Sequence, residues 1–295
     1  MRLLLYIATI SSVLALPALA QGTAGAVPDF SGMWDHPNVG WEYPVSGPSP
    51  VRHKAGATGS ANLVGDDSNP VLKPETAAVI RRNSQISRSG LAFPDPDNQC
   101  MSQPVPYIFW NFEIELLQQP DKVTIIYNHD HDFREIKLNQ QHPAKIVPSW
   151  HGDSIGHYEG DTLVVDTIGI KTGKFSTIDR FGTPYTDAMH VVERYRMIPY
   201  DAAREAMARG KKEWGEVPQY NADPAYRGKG MQLAFQVDDP GVFTMPWNAS
   251  VTYFPSTHTE WEERVCAENT EHYYEGTQYY SDKTAHIPTA TKADF

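Results

Sequence analysis

The strongest constraint on the fold is the stretch Trp150–Ile170, W-H-G-D-S-I-G-H-Y-E-G-D-T-L-V-V-D-T-I-G-I, in which a Glu159-Gly160-Asp161 turn leads into the β-branched run Thr162–Ile168. Such a run beside a Gly/Asp turn reads as one arm of a β-hairpin. A two-residue Glu159-Gly160 loop sets His157 opposite Thr162 and Asp153 opposite Asp166. A three-residue loop through Asp161 sets His157 opposite Leu163 and Ser154 opposite Asp166. In both registers Asp153, Ile155 and His157 share a face, because side chains alternate along a strand. His151, Asp153, Ser154, His157, Tyr158 and Glu159 lie within nine positions, denser in polar groups than a structural hairpin requires.

Other segments extend the β reading. Pro28–Trp34 reads as a short first strand, and Asn111–Gln118 and Lys122–Leu138 as an antiparallel pair joined at Gln119-Pro120-Asp121. Read as one strand, Lys122–Leu138 puts Val123, Ile125, Tyr127, His129, His131 and Phe133 on an inward face and Asn128, Asp132 and Arg134 outside. His190–Ile198 follows, with Glu193 among Val191, Tyr195 and Met197; a carboxylate so placed either pairs with an arginine or has a raised pKa. Met231–Val237 and Gly241–Phe254 form a hairpin about Asp238-Asp239-Pro240-Gly241. Glu260–Glu268 is a last strand.

Only two helices interrupt this. Pro74 opens one that ends near Ser89-Gly90, and Asp201–Gly210 is a second, with Asp201 as N-cap and Gly210 at its stop. Strands separated by turns argue for a mainly β fold, an antiparallel β-barrel with two short helices; a β-sandwich is the alternative. The expected organisation is a signal peptide at 1–20, an irregular N-terminal arm with a helix at 21–90, a barrel domain at 91–270 and a tail at 271–295.

Arg2, the apolar run Leu3–Leu16 and Ala18-Leu19-Ala20 carry the marks of a signal peptide cleaved near Ala20, hence a periplasmic or secreted protein. The run is too short to span a membrane as a helix, and no later stretch is long and apolar enough. In an oxidising compartment the two cysteines, Cys100 and Cys266, are expected to form one long-range disulfide. A formal net charge of -11 without a Lys/Arg cluster argues against nucleic acid as a partner. Residues of 11% aromatic content favour aromatic-lined surfaces or a cavity for a small molecule. Nothing here bears on oligomeric state.

Trp150–Ile170 together with Glu193-Arg194-Tyr195 resembles an uncharacterised exported bacterial family whose signature is W-x-G-x-S-I-G-x-[WY]-E-G-D-T-L-V-V-D-T followed by E-R. The resemblance runs from Pro28-Asp29-Phe30-Ser31-Gly32 through Cys100 to the region of Cys266. It implies an exported β-rich fold similar to the lipocalin or calycin barrels. Tyr158 stands where tryptophan is usual, and Lys137-Leu138-Asn139 where an Asp-Gly-Arg turn is common.

Three kinds of chemistry fit the polar residues. The first is cofactor-free acid/base catalysis by a lyase, isomerase or hydrolase, with His129, His131 and His157 as proton carriers and Asp153, Glu159 and Glu193 as orienting carboxylates. Tyr127, Trp150, Tyr158 and Arg194 would bind the substrate, a small apolar or aromatic molecule. The second is a divalent metal such as zinc, held by His129, His131 and His151; an H-x-H pair supplies two ligands but not the third. The third is structural, with Gly152, Gly156 and Gly160 shaping the hairpin and Asp161 and Asp166 capping turns or pairing with Arg194. Ser154 lacks the G-x-S-x-G elbow of a hydrolase nucleophile, and there is no phosphate loop or dinucleotide fingerprint. The alternative to catalysis is a periplasmic binding protein that holds a hydrophobic ligand in the barrel.

Overall fold

Alternation along each strand gives the sheet one apolar face, and that face closes on itself. The computed structural model describes residues 27–38, 40–57, 63–110, 113–215, 220–258 and 265–266. The expected signal peptide, most of the expected strand at 260–268 and the tail lie outside these residues. Nine strands, β1 (Gly32–Asp35), β2 (Glu113–Gln118), β3 (Lys122–Tyr127), β4 (Phe133–Leu138), β5 (Asp153–Glu159), β6 (Thr162–Ile168), β7 (His190–Ile198), β8 (Gly230–Asp238) and β9 (Trp247–Pro255), form a closed barrel in sequence order. The barrel expectation holds, with one amendment: β4 and β5 run parallel, Lys137 opposite Ile155, and the other pairings are antiparallel. A parallel step needs a return crossover of about a dozen residues. Residues 139–152 make it along the outside of the wall, where Asn139 donates to the Gly156 carbonyl at 2.7 Å and Ile146 packs against Gly169.

Inward positions are filled mainly by Ile114, Leu116, Val123, Ile125, Ile136, Leu163, Val165, Leu233, Phe235 and Val251, all buried. Gly156 belongs to this face; a Cβ there would meet Ile136 at 2.8 Å, so only glycine fits. The turn of the 150–170 hairpin is Gly160-Asp161, with Glu159 opposite Thr162, which corrects both expected registers. Glu159 stays in the strand because Gly160, at φ +62°, takes the first turn position, as a primed two-residue turn requires.

The long link between β1 and β2 covers one end of the barrel. It carries α1 (Pro74–Arg88) and the fully buried 3-10 turn Tyr107–Trp110. Helix α2 (Tyr200–Trp214) runs past its expected stop. Gly210 lies within it, glycine there because a Cβ would collide with Asn38 at 2.4 Å, and Asp201 sits in the first turn without a side-chain cap bond. The last residue of α2, Trp214, reaches the covered end and packs its ring on Trp110 and His53, each 4.5 Å between centroids. Cys100 and Cys266 form the expected disulfide. Among the described residues no helix is long and apolar enough to cross a membrane.

Candidate functional site

The expected single strand Lys122–Leu138 is two. Asn128–Asp132 forms a tight turn in which Asp130 and His131 both adopt positive φ, 53° and 52°, and Ile126 pairs with Phe133. The turn restarts the alternation out of phase, so Phe133 is 64% exposed and Arg134 points into the barrel, the reverse of the expected faces. His129 and His131 therefore sit on the turn and not on an inward strand face.

Arg134 meets Glu193 across the interior, and this settles the role of that carboxylate. Nη1 donates to Glu193 Oε2 at 2.8 Å and Nη2 to Oε1 at 2.6 Å, while the Tyr195 hydroxyl donates to Oε2 at 2.9 Å. Ser154 Oγ accepts from Nε at 3.0 Å and from Nη2 at 2.9 Å, and Thr167 Oγ1 accepts from Nη2 at 2.6 Å. Burial alone would lower the guanidinium pKa, but the Glu193 charge outweighs it and the pKa is raised. Glu193 is thus a partner in a satisfied internal ion pair and not an orienting carboxylate for a histidine. Ser154 serves the same network.

At one end of this network, on the barrel rim, stand Tyr127, His151 and Asp132. Tyr127, from β3, has its hydroxyl beside the Arg134 guanidinium but in no hydrogen bond of good geometry, and burial pushes its pKa up to about 12. The ring of His151, at the end of the crossover, lies 6.2 Å from the Tyr127 ring. His151 Nδ1 stands 3.2 Å from the Phe133 carbonyl oxygen, which can only accept, so Nδ1 carries the proton. Nε2 is buried without a hydrogen-bond partner, 3.7 Å from Asp132 Oδ2. Burial works against ionisation of Asp132, but His151 and the Ser102 hydroxyl, 2.7 Å away, hold it below the usual carboxylate range. The sequence places His151 in the polar cluster and in the metal set but not among the proton carriers; its position just before β5, in the sharp turn that Gly152 makes at φ +69°, is the signal for its role.

The remaining expected site residues do not reach this rim. Asp153, Ile155, His157 and Glu159 share a face as expected, but it is the outer one; Ser154, Gly156 and Tyr158 point inward. His157 and Glu159 are half exposed, 3.1 Å apart, and Arg194 caps Glu159 at 2.8 Å. The Arg194 hydrogen bond, then that of His157, holds Glu159 below its ordinary pKa. Tyr158 accepts from Gln118 Nε2 at 2.9 Å, and Trp150 lies under the Lys171 ammonium at 5.0 Å. Asp153 belongs to an outer chain that the sequence did not reveal. His142 Nδ1 is 2.8 Å from Asp153 and its Nε2 2.9 Å from Asp166, which in turn meets His190 Nε2 at 2.9 Å; Lys137 closes the far end on Asp153. The chain pins the crossover to β5, β6 and β7. Asp166 thus pairs with histidines, and Arg194 with Glu159.

Two buried carboxylates meet on the outer face, where Asp35 of β1 is opposite Glu113 of β2. The residues 220–222 and 256–258 cover it. Asp35 accepts from the His36 and Asn221 amides, each at 2.7 Å; Glu113 accepts from Asn128 Nδ2 at 2.9 Å and from Ser256 Oγ, with His258 Nδ1 at 3.3 Å. Burial first, and then the nearby Glu113, pushes the Asp35 pKa up to about 7 from 3.8. The folded state therefore keeps a proton that the unfolded chain has lost between about pH 4 and 7, and stability falls as pH rises through that window. Asp35→Asn is expected to remove about 1.4 kcal/mol per pH unit from that slope. Urea unfolding of both proteins at four pH values across the window checks this; parallel slopes would show that Asp35 does not hold the proton.

The expected imidazole set does not assemble. Among the described residues the group with metal-ligating atoms mutually within 4.8 Å is His129, Asp130 and Cys266, without His131 or His151. Cys266 is bonded to Cys100, so its sulfur is not a thiolate and two ligands remain. No protein-family model, curated protein or solved structure matches the chain.

Proposed function

We propose that the protein is an exported barrel enzyme performing acid/base chemistry at the rim, with His151 as the proton carrier. One observation supports this reading above the others: His151 has its tautomer set by the Phe133 carbonyl, and its buried Nε2 makes no hydrogen bond, with Asp132 3.7 Å away. A buried unsatisfied polar atom calls for an explanation, and a proton-accepting nitrogen awaiting a substrate or water supplies one. Asp132 stabilises the imidazolium that forms, from 3.7 Å. Tyr127, kept protonated, presents a hydroxyl able to donate to developing negative charge. The Tyr127 ring, 6.2 Å from that of His151, favours a small substrate with an apolar or aromatic part. Elimination, isomerisation and hydrolysis all use this set of groups, and the barrel is read as lipocalin-like.

This replaces His129, His131 and His157 with His151 as the working histidine. A panel of small aryl esters, hydroxy acids and unsaturated ketones, screened with the wild type and His151→Ala, tests it. The expected result is turnover lowered about 10²–10⁴-fold in the variant with the melting temperature retained. Full activity in a folded His151→Ala protein would sink the assignment. Saturable binding with no turnover by the wild type would favour the carrier reading, in which the barrel holds a hydrophobic ligand.

A further inference from the structure

The disulfide lies beside His129 and Asp130, two residues the acid/base reading leaves unused. His129 Nε2 is 3.3 Å from Asp130 Oδ2 and 3.5 Å from Asp97 Oδ1, yet it is buried and makes no hydrogen bond. Asp130 Oδ1 accepts from the Cys266 amide at 2.6 Å, which aims the other oxygen toward His129. A ring nitrogen of His129, a carboxylate oxygen of Asp130 and Cys266 Sγ lie mutually within 4.8 Å, and Cys100 Sγ is bonded to the last of these.

We propose that reduction of Cys100–Cys266 converts this corner into a tetrahedral site for a zinc-type divalent cation, with Cys100, Cys266, His129 and Asp130 as ligands. The 3.3 Å between His129 Nε2 and Asp130 Oδ2 matches the edge of a tetrahedron with bonds of about 2.0–2.1 Å. The Cys266 amide acts as the outer support that fixes the carboxylate. In the reductive step a dithiol gives two electrons and two protons to the cystine, yielding two thiols while the dithiol closes to its own disulfide. Metal binding then releases both thiol protons, since only thiolates ligate. The corner is thereby held by a covalent bond in one redox state and by a metal in the other. Asp97 stays outside the ligand set and is paired with Arg180, 3.6 Å away.

The test uses the full chain, reduced with a phosphine, desalted without oxygen and titrated with Co²⁺. The expected result is one Co²⁺ per chain with thiolate-to-cobalt charge-transfer absorption, displaced by Zn²⁺, and no such absorption from the oxidised protein. His129→Gln and Asp130→Asn, first shown folded in their oxidised forms, should each weaken reduced-state binding by about tenfold or more. Zn²⁺ should also restore melting temperature lost on reduction, and a chelator should abolish that recovery. A reduced chain that binds no Co²⁺, whether folded or not, overturns the proposal. So does unchanged affinity in both variants, which would mark binding by the cysteines alone.

Discussion

Arg134→Met is expected to destabilise the protein by about 3–5 kcal/mol, because it leaves the Glu193 charge buried with only neutral hydroxyl donors. Tyr195 and Thr167 remain within reach, at 2.9 and 3.3 Å, but neither carries compensating charge. Urea unfolding followed by tryptophan fluorescence reads the loss. The double variant Arg134→Met/Glu193→Leu should recover most of it, since removing both charges also removes their desolvation cost. A single variant within about 1 kcal/mol of wild type would mean that water reaches Glu193. Arg134→Lys is expected to fall between the two, because a single ammonium cannot reproduce the fork that holds Glu193 while bonding Ser154 and Thr167.

Trp214→Ala is expected to cost about 3–5 kcal/mol, the range for truncating a fully buried aromatic. Its indole N–H donates to the Trp41 carbonyl at 3.1 Å, and its ring also packs on Phe181 at 5.4 Å and Tyr43 at 6.2 Å. These partners come from the link before β2 and the loop after β6, so one side chain from α2 ties two covering segments together over the barrel end. Loss of the ring should also expose the cover to protease before the barrel unfolds. Limited proteolysis beside chemical unfolding distinguishes this from uniform weakening; cleavage rates that track global stability alone would refute the tie.

The barrel was legible because most strands keep a single phase between turn residues. His190–Ile198 came out with its boundaries and faces intact. The site was not legible, and the cause is local. Tyr127 to Phe133 alternates convincingly on paper, but Asn128, Asp130 and Asp132 are turn formers, and two positive φ angles take up the chain that a continuous strand would have used. That break inverted the faces of Phe133 and Arg134 and removed His129 and His131 from the interior. In β5 neither Asp153-Ile155-His157 nor Ser154-Gly156-Tyr158 is apolar enough to declare itself inward. Packing against Ile136 decides it, since only Gly156 leaves room for that side chain. His142 had no signal at all, because its partners arrive through the parallel step between β4 and β5. Of the two fates the sequence leaves open for Glu193, an arginine partner or a raised pKa, the structure shows the first, and the phase error hid that Arg134 is the partner.

The way the barrel closes bears on how the chain reaches its native state. Within the described residues β1 meets β9 through Trp34 opposite Pro255 and Asp35 opposite Phe254, whereas β7 and β8 pair along their whole length, from His190–Asp238 to Ile198–Gly230. The shortest seam therefore joins the strands farthest apart in sequence, where loop closure costs most and brings the fewest backbone bonds. A chain emerging from its N-terminus must hold β1 against β2 alone, with one edge unpaired, until residue 255 has followed. Circularisation is thus expected to come last in folding, and backbone amides beside Trp34 should exchange faster than those between β7 and β8.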